Sequence, residues 1–199
     1  TAVGEQGLYG TPQSYDLTGR ATPGRHTLTV MVDNRAARRP VQGQAHQFDD
    51  STQTNWNGIL GRIDLVATDP VWLDDVQVYS DLAARAFRVR IRLGNTTGRP
   101  AAGTLAVEAE SFNHPGPAQR SALAATAFSG TETELLLPLG PEAKPWDEFS
   151  PALYRVTVRL AAAPDSAAQF SDARTVETGL REFRAADRQF SINGRPTFL

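Results

Sequence analysis

The 199-residue chain contains no cysteine. Disulfides, thiolate metal sites and cysteine nucleophiles are therefore excluded, while the compartment stays open, because exported bacterial proteins also lack cysteine in many cases. Histidine is scarce too. His26, His46 and His114 stand far apart without the spacing of metal ligands, which argues against a zinc centre or a histidine-based triad. Nor is there an excess of charge of one sign: 20 Lys+Arg face 22 Asp+Glu, so the basic footprint that neutralises phosphates is missing and nucleic acid is not an expected partner. No apolar stretch approaches the roughly 18 residues of a membrane-spanning helix, and the first residues lack the regions of a signal peptide. The expectation is a soluble chain with no membrane partner, no metal and no cofactor.

What the chain does have is period-two alternation from end to end, with no window of about 11 residues carrying a helical stripe. The reading is all-β. The clearest strands are "HTLTVMVD", with Leu28, Val30 and Val32 on one face, "GRIDLVA", with Ile63, Leu65 and Ala67, and "AFRVRIRLG", where Phe87, Val89, Ile91 and Leu93 alternate with Arg88, Arg90 and Arg92. "TLAVEAESF" and "LYRVTVRLA" follow, the latter with Tyr154, Val156, Val158 and Leu160. Pro23-Gly24, Gly94-Asn95, Gly98-Arg99-Pro100, Pro115-Gly116-Pro117, Pro138 to Pro141 and Asn193-Gly194 punctuate them as turns. Short strands between regular turns are the pattern of β-sandwiches. A boundary falls near Asp69-Pro70, where "VWLDDVQVYSDL" opens a new series. About seven strands are expected from 70 to 183, enough for an immunoglobulin-like sandwich, but only about four in 1–68, too few for two full sheets. "RLAAAPDSAAQF" reads as an Ala-rich hairpin.

Glu108 and Glu110 are the most tempting pair for acid/base work. Positions i and i+2 of a strand share a face at roughly 7 Å, within the range of an inverting glycosidase. A solvated face fits better, with an Arg from "FRVRIRL" or "YRVTVRL" opposite, and nothing in the sequence suggests the burial that a catalytic acid needs. The Arg88, Arg90, Arg92 row reads the same way, as a solvent face opposite the Glu strand rather than an anion stripe. Asp74-Asp75 and Asp147-Glu148 are not metal clamps by themselves, since neighbours on an extended chain diverge. "HQFDDSTQTNWNG", residues 46–58, differs: it crowds donors and acceptors around Trp56, a density that needs a ligand or a domain contact to satisfy it. A polar loop with Trp56 anchored in a core is the alternative.

The residues also resemble a known family. "PQSYDLTGRATPGRHTLTVMVDNR", "HQFDDSTQTNWNGILGRIDL", "WDEFSPALYRVTVRL" and "TGLREFRAADRQFSINGRPTFL" are similar, in order and spacing, to the non-catalytic front half of glycoside hydrolase family 2, the group of β-galactosidases, β-glucuronidases and β-mannosidases. In the last stretch Gly179, Arg181, Phe183, Asn193 and Gly194 stand in the expected order.

The resemblance implies an all-β chain made of a partial jelly-roll sandwich (1–68, the end of a sugar-binding domain), an immunoglobulin-like β-sandwich (70–183) and a lead-in (184–199) to a catalytic (β/α)8 barrel. Both catalytic Glu of such a parent would lie on that barrel, so no catalytic residue is expected here. The expected role is that of an accessory region that supports the barrel in cis and shapes the sugar-side rim of its active site. The parent would hydrolyse terminal β-glycosidic bonds, in the bacterial periplasm or outside the cell in preference to the cytoplasm. Carbohydrate is then the partner, met through the parent. Relatives lend an Asp to the rim just before the aromatic-Gly-Ile segment. Counting back from Gly58, the matching position is Thr52, and Asp50, two residues earlier, is the sugar-hydroxyl acceptor carried over, followed by Asn55 and Trp56, then Asp49 and His46. A local Asx turn is the alternative for Asp50. A free-standing carbohydrate-binding module and a structural immunoglobulin-like spacer or adhesion domain are the rival readings.

Overall fold

The computed structural model describes residues 2–7, 11–33, 58–114, 118–166 and 168–198. The chain divides into compact units at residues 1–64 and 65–199. All regular structure among the described residues is β, with no helix.

In the first unit the chain turns at Leu17–Ala21, where the Arg20 and Ala21 amides both donate to the Leu17 carbonyl. The Asp16 carboxylate accepts the Thr18 amide at 2.8 Å, and its hydrogen bonds with Thr18 hold its pKa below the usual value. Arg20 reaches back to the Ala2 carbonyl at 2.7 Å. The strands expected at "HTLTVMVD" and "GRIDLVA" carry no ladder among the described residues. Alternation marks a face, but a ladder needs a neighbouring chain to bond to. The Leu28, Val30 and Val32 side chains accordingly stay half to two-thirds exposed, although less so than Met31 on the opposite side.

The second unit holds ten strands among the described residues. Those of the sandwich are β1 (Val71–Asp81), β2 (Ala86–Asn95), β3 (Ala102–Ser111), β4 (Arg120–Ser129), β5 (Glu132–Pro138), β6 (Tyr154–Ala162) and β7 (Ser171–Thr178). They form two antiparallel sheets, ordered β1-β2-β5 and β4-β3-β6-β7, which is an immunoglobulin-like arrangement. The seven strands match the number expected from the sequence over this stretch. The inward rows are the apolar ones: Phe87, Val89, Ile91 and Leu93 of β2 face Tyr154, Val156, Val158 and Leu160 of β6, all buried in one core with Leu73, Leu105, Val107 and Leu137. Phe87 meets Tyr154 edge to face, ring centroids 5.5 Å apart. The Ala-rich excursion is the β6–β7 hairpin, antiparallel from Tyr154↔Thr178 to Ala161↔Ser171.

Where β1 passes beside β7, side chains replace the ladder. The Ser171 amide donates to Asp69, the Leu73 amide to Asp172 (2.8 Å each), Arg174 to the Asp74 carbonyl and the Ser80 hydroxyl to the Gly179 carbonyl. Residue numbers on the two sides rise together, so β1 and β7 run parallel along this seam. A bulge between Leu73 and Asp75 interrupts the β1–β2 register at the same place. Leu73 is fully buried, so Asp172→Ala leaves its amide without an acceptor. A loss of about 2 kcal/mol is expected, read as a shift of the urea midpoint with an unchanged slope.

The remaining strands, β8 (Phe183–Ala186), β9 (Gln189–Ile192) and β10 (Arg195–Thr197), make a separate sheet of order β10-β9-β8. Asn193-Gly194 turns β9 into β10 with φ of 51° and 79°. Positive φ at both central positions is what a two-residue hairpin of type I′ requires, and Asn-Gly supplies it most readily. Pro196, which has no amide to donate, sits on the β10 edge.

Candidate functional site

His46, Asp49, Asp50, Asn55 and Trp56 lie outside the described residues. Gly58, which closes their segment, has a φ of 98°, a conformation that only glycine adopts without strain. The structure thus speaks to the other candidates, all in the second unit.

Glu108 and Glu110 do lie on one outer face of β3, and each is taken by an arginine: Glu108 by Arg159 and Glu110 by Arg120, both at 2.8 Å. Arg159 comes from "YRVTVRL", as expected. Arg120 comes from β4, and the Glu110 carboxylate holds its pKa above the usual value, chiefly through the hydrogen bond between them. Each carboxylate is thus engaged by an arginine on a solvated face, which is not the placement of a general acid. The Arg88, Arg90, Arg92 row is paired as well, but the expected opposite strand was wrong. β3 belongs to the other sheet, so the partners come from the neighbours of β2: Asp81 and Glu134 for Arg88, Glu132 for Arg90, Asp74 for Arg92. Between these side chains Asp75, Gln77, Arg90, Arg92 and Glu132 line a concavity of 120 Å³. Ligand pockets run to about 300–1,000 Å³, so this one is too small for a sugar ring. No group of carboxylates or histidines suited to a metal ion occurs among the described residues.

Distant segments also meet elsewhere, where the small sheet joins the sandwich. The Trp146 amide donates to the Leu180 carbonyl at 2.9 Å, and Pro145 bridges Leu180 in parallel. Gly179 lies against the Trp146 side chain so closely that a Cβ there would come within 2.6 Å of the Trp146 Cβ. The Arg181 guanidinium stands over the indole, 4.8 Å from the ring centroid. Asn193 then binds both sides: its Oδ1 accepts the Glu182 amide and its Nδ2 donates to the Trp146 carbonyl, each at 2.8 Å, while its own amide donates to the Glu182 carbonyl. Arg195 pairs with Glu148 and covers one face of Phe149. Asp147 organises that loop by accepting the Phe149 and Ser150 amides. Trp146, Gly179, Arg181 and Asn193 stand out in the sequence as separate motif residues; nothing in their spacing announces that they touch.

Residues 71–181 match the family model of glycosyl hydrolases family 2. Among solved structures, the chain is similar to a family 2 member from Bacteroides cellulosilyticus DSM 14838, at 20% identity and a TM-score of 0.49, over 65% of this chain and 18% of that one. It is also similar to a family 2 β-galacturonidase from Eisenbergiella tayi bound to galacturonate, at 26% identity and a TM-score of 0.43, over 65% and 22%. A third is a β-D-glucuronidase from Dictyoglomus thermophilum, at 18% identity and a TM-score of 0.40, over 63% and 18%. The chain spans 18 to 22% of the length of these structures. Comparison with curated proteins gives no match.

Proposed function

Because the chain belongs to glycosyl hydrolases family 2, we propose that it serves as a non-catalytic accessory region of a glycoside hydrolase, and that the parent enzyme cleaves terminal β-glycosidic bonds with both catalytic Glu on a barrel of its own. Residues 1–68 are the end of a sugar-binding jelly roll, 70–183 the sandwich that supports the barrel and 184–199 the lead-in to it. Asp50, with Asn55 and Trp56 and then Asp49 and His46, contributes to the sugar-side rim of the active site. Carbohydrate is the partner, reached through the parent.

The observation that carries this reading is the family match over a sandwich whose best acid/base pair, Glu108 and Glu110, is occupied by Arg159 and Arg120. Such a domain positions chemistry done elsewhere. The open row of Leu28, Val30 and Val32 adds support, because an alternating apolar row left half to two-thirds exposed calls for a second layer.

Two assays test the proposal. The 199-residue chain incubated with aryl β-glycosides of galactose, glucuronic acid, galacturonic acid and mannose is expected to give no turnover; hydrolysis that Glu108→Gln abolishes would overturn it. In the parent enzyme, Asp50→Ala is expected to lower kcat/KM about tenfold or more, the loss typical of a removed substrate hydrogen bond, with Tm unchanged. An unchanged kcat/KM would remove Asp50 from the rim.

A further inference from the structure

The Trp146–Asn193 contact is built differently from an ordinary hairpin turn. A type I′ turn needs only the backbone of Asn193 and Gly194, yet the Asn193 side chain bonds outside the turn through both its oxygen and its nitrogen. One bond goes to Glu182, on the linker leaving β7, and one to Trp146, on the loop preceding β6. Around it, Ser80 of β1 holds the Gly179 carbonyl, Arg181 covers the indole and Arg195 holds Glu148. The small sheet is thereby fixed to the sandwich at points on either side of its own linker. A linker restrained at one point swivels; one restrained on two sides does not.

We propose that Asn193 is a lock that makes the β8–β10 sheet a rigid arm of the sandwich, holding it at one angle. In the enzyme proposed above, Asn193 would then be a positioning residue for the domain that follows the arm, and that extension alone rests on the reading of the chain as part of a hydrolase. The amide suits the task. It carries an acceptor oxygen and a donor nitrogen side by side on one planar group, so a single side chain satisfies a backbone N–H and a backbone C=O at once. Asparagine is also among the few non-glycine residues that accept the positive φ of this position.

The absence of cysteine makes the test clean. Cysteines introduced as Ala161→Cys, exposed at the end of β6, and Arg188→Cys, exposed at the β8–β9 turn, carry spin labels, and pulsed electron–electron resonance reads the distribution of distances between sandwich and arm. A single narrow distribution is expected. Asn193→Gly keeps the positive φ and hence the turn, and removes both side-chain bonds; it is expected to broaden the distribution at least twofold with no more than a small change in Tm. Asn193→Asp keeps the acceptor for Glu182 but loses the donor to Trp146, and is expected to broaden it as well. A distribution already broad with Asn193 in place, or equally narrow in Asn193→Gly, overturns the proposal. Loss of sandwich stability in parallel with any broadening also overturns it, since Asn193 would then be part of the common fold rather than a lock. All of these results are read on the 199-residue chain and stand whatever the assays of glycoside turnover give.

Discussion

Tyr154→Ala is expected to destabilise the sandwich by about 4 kcal/mol, the range for emptying a buried aromatic site. Tyr154 is fully buried at the start of β6, against Phe87 of the facing sheet, and its hydroxyl accepts the Lys144 amide at 2.7 Å. Alanine opens a cavity in the core and leaves that amide without an acceptor. Tyr154→Phe isolates the second effect and is expected to cost about 1–2 kcal/mol. Both are read from chemical denaturation, with the slope unchanged. The phenol also links stability to pH. Burial raises its pKa above the usual 10.0, with the Lys144 hydrogen bond opposing in part. Above pH 10 the unfolded chain loses this proton while the folded chain keeps it, so stability is full below the unfolded value and falls as pH rises towards the folded one. Tyr154→Phe should flatten that alkaline decline; an unchanged decline would assign it to other groups.

Gly103→Ala is expected to cost about 3 kcal/mol, at the upper end for overpacking a core. Gly103 lies in β3 between β4 and β6, paired with Phe128 and Ala162. A Cβ there would stand 2.2 Å from the Ala161 carbonyl oxygen and 2.9 Å from Phe128 Cε1. The carbonyl belongs to the backbone of the neighbouring strand and cannot retreat without opening the ladder. Gly94→Ala is the instructive comparison. Its Cβ would enter the Trp72 ring, at 2.1 Å, but that ring is a half-buried side chain on β1, which can change rotamer where a backbone carbonyl cannot. The denaturation midpoint should therefore fall further for Gly103→Ala than for Gly94→Ala. The reverse order would mean that β3 and β6 separate more easily than their ladder implies.

The strands that the sequence reveals are those with one face in the core. β2 and β6 carry strict alternation, and every apolar position named in them is buried while Arg88, Arg90, Arg92, Arg155 and Arg159 are exposed. Alternation reports a half-buried strand because the side-chain period is two. β4 is harder to see: Ala122, Ala124, Ala125 and Ala127 are nearly silent about direction, and a register shift between Leu105 and Val107 of β3 breaks what period there is. Alternation also says nothing about partners. It marks Leu28–Val32 as strand-like although no ladder forms there among the described residues, and it led to the wrong sheet for the carboxylates opposite the arginine row. The candidate rim residues rest on resemblance alone. The Trp146–Asn193 meeting is of a third kind, because residues 47 apart in sequence are brought together by topology, which no local pattern encodes.

The seam between β1 and β7 has a mechanical consequence. The strands run parallel, so tension that enters the chain ahead of β1 and leaves it beyond β7 pulls the two past each other along their length. The bonds from Asp69, Asp172, Arg174 and Ser80 are spread over that length, and in this shearing geometry they bear the load together instead of peeling apart in turn. β1 is thus fastened to resist drag from the chain on either side of the sandwich.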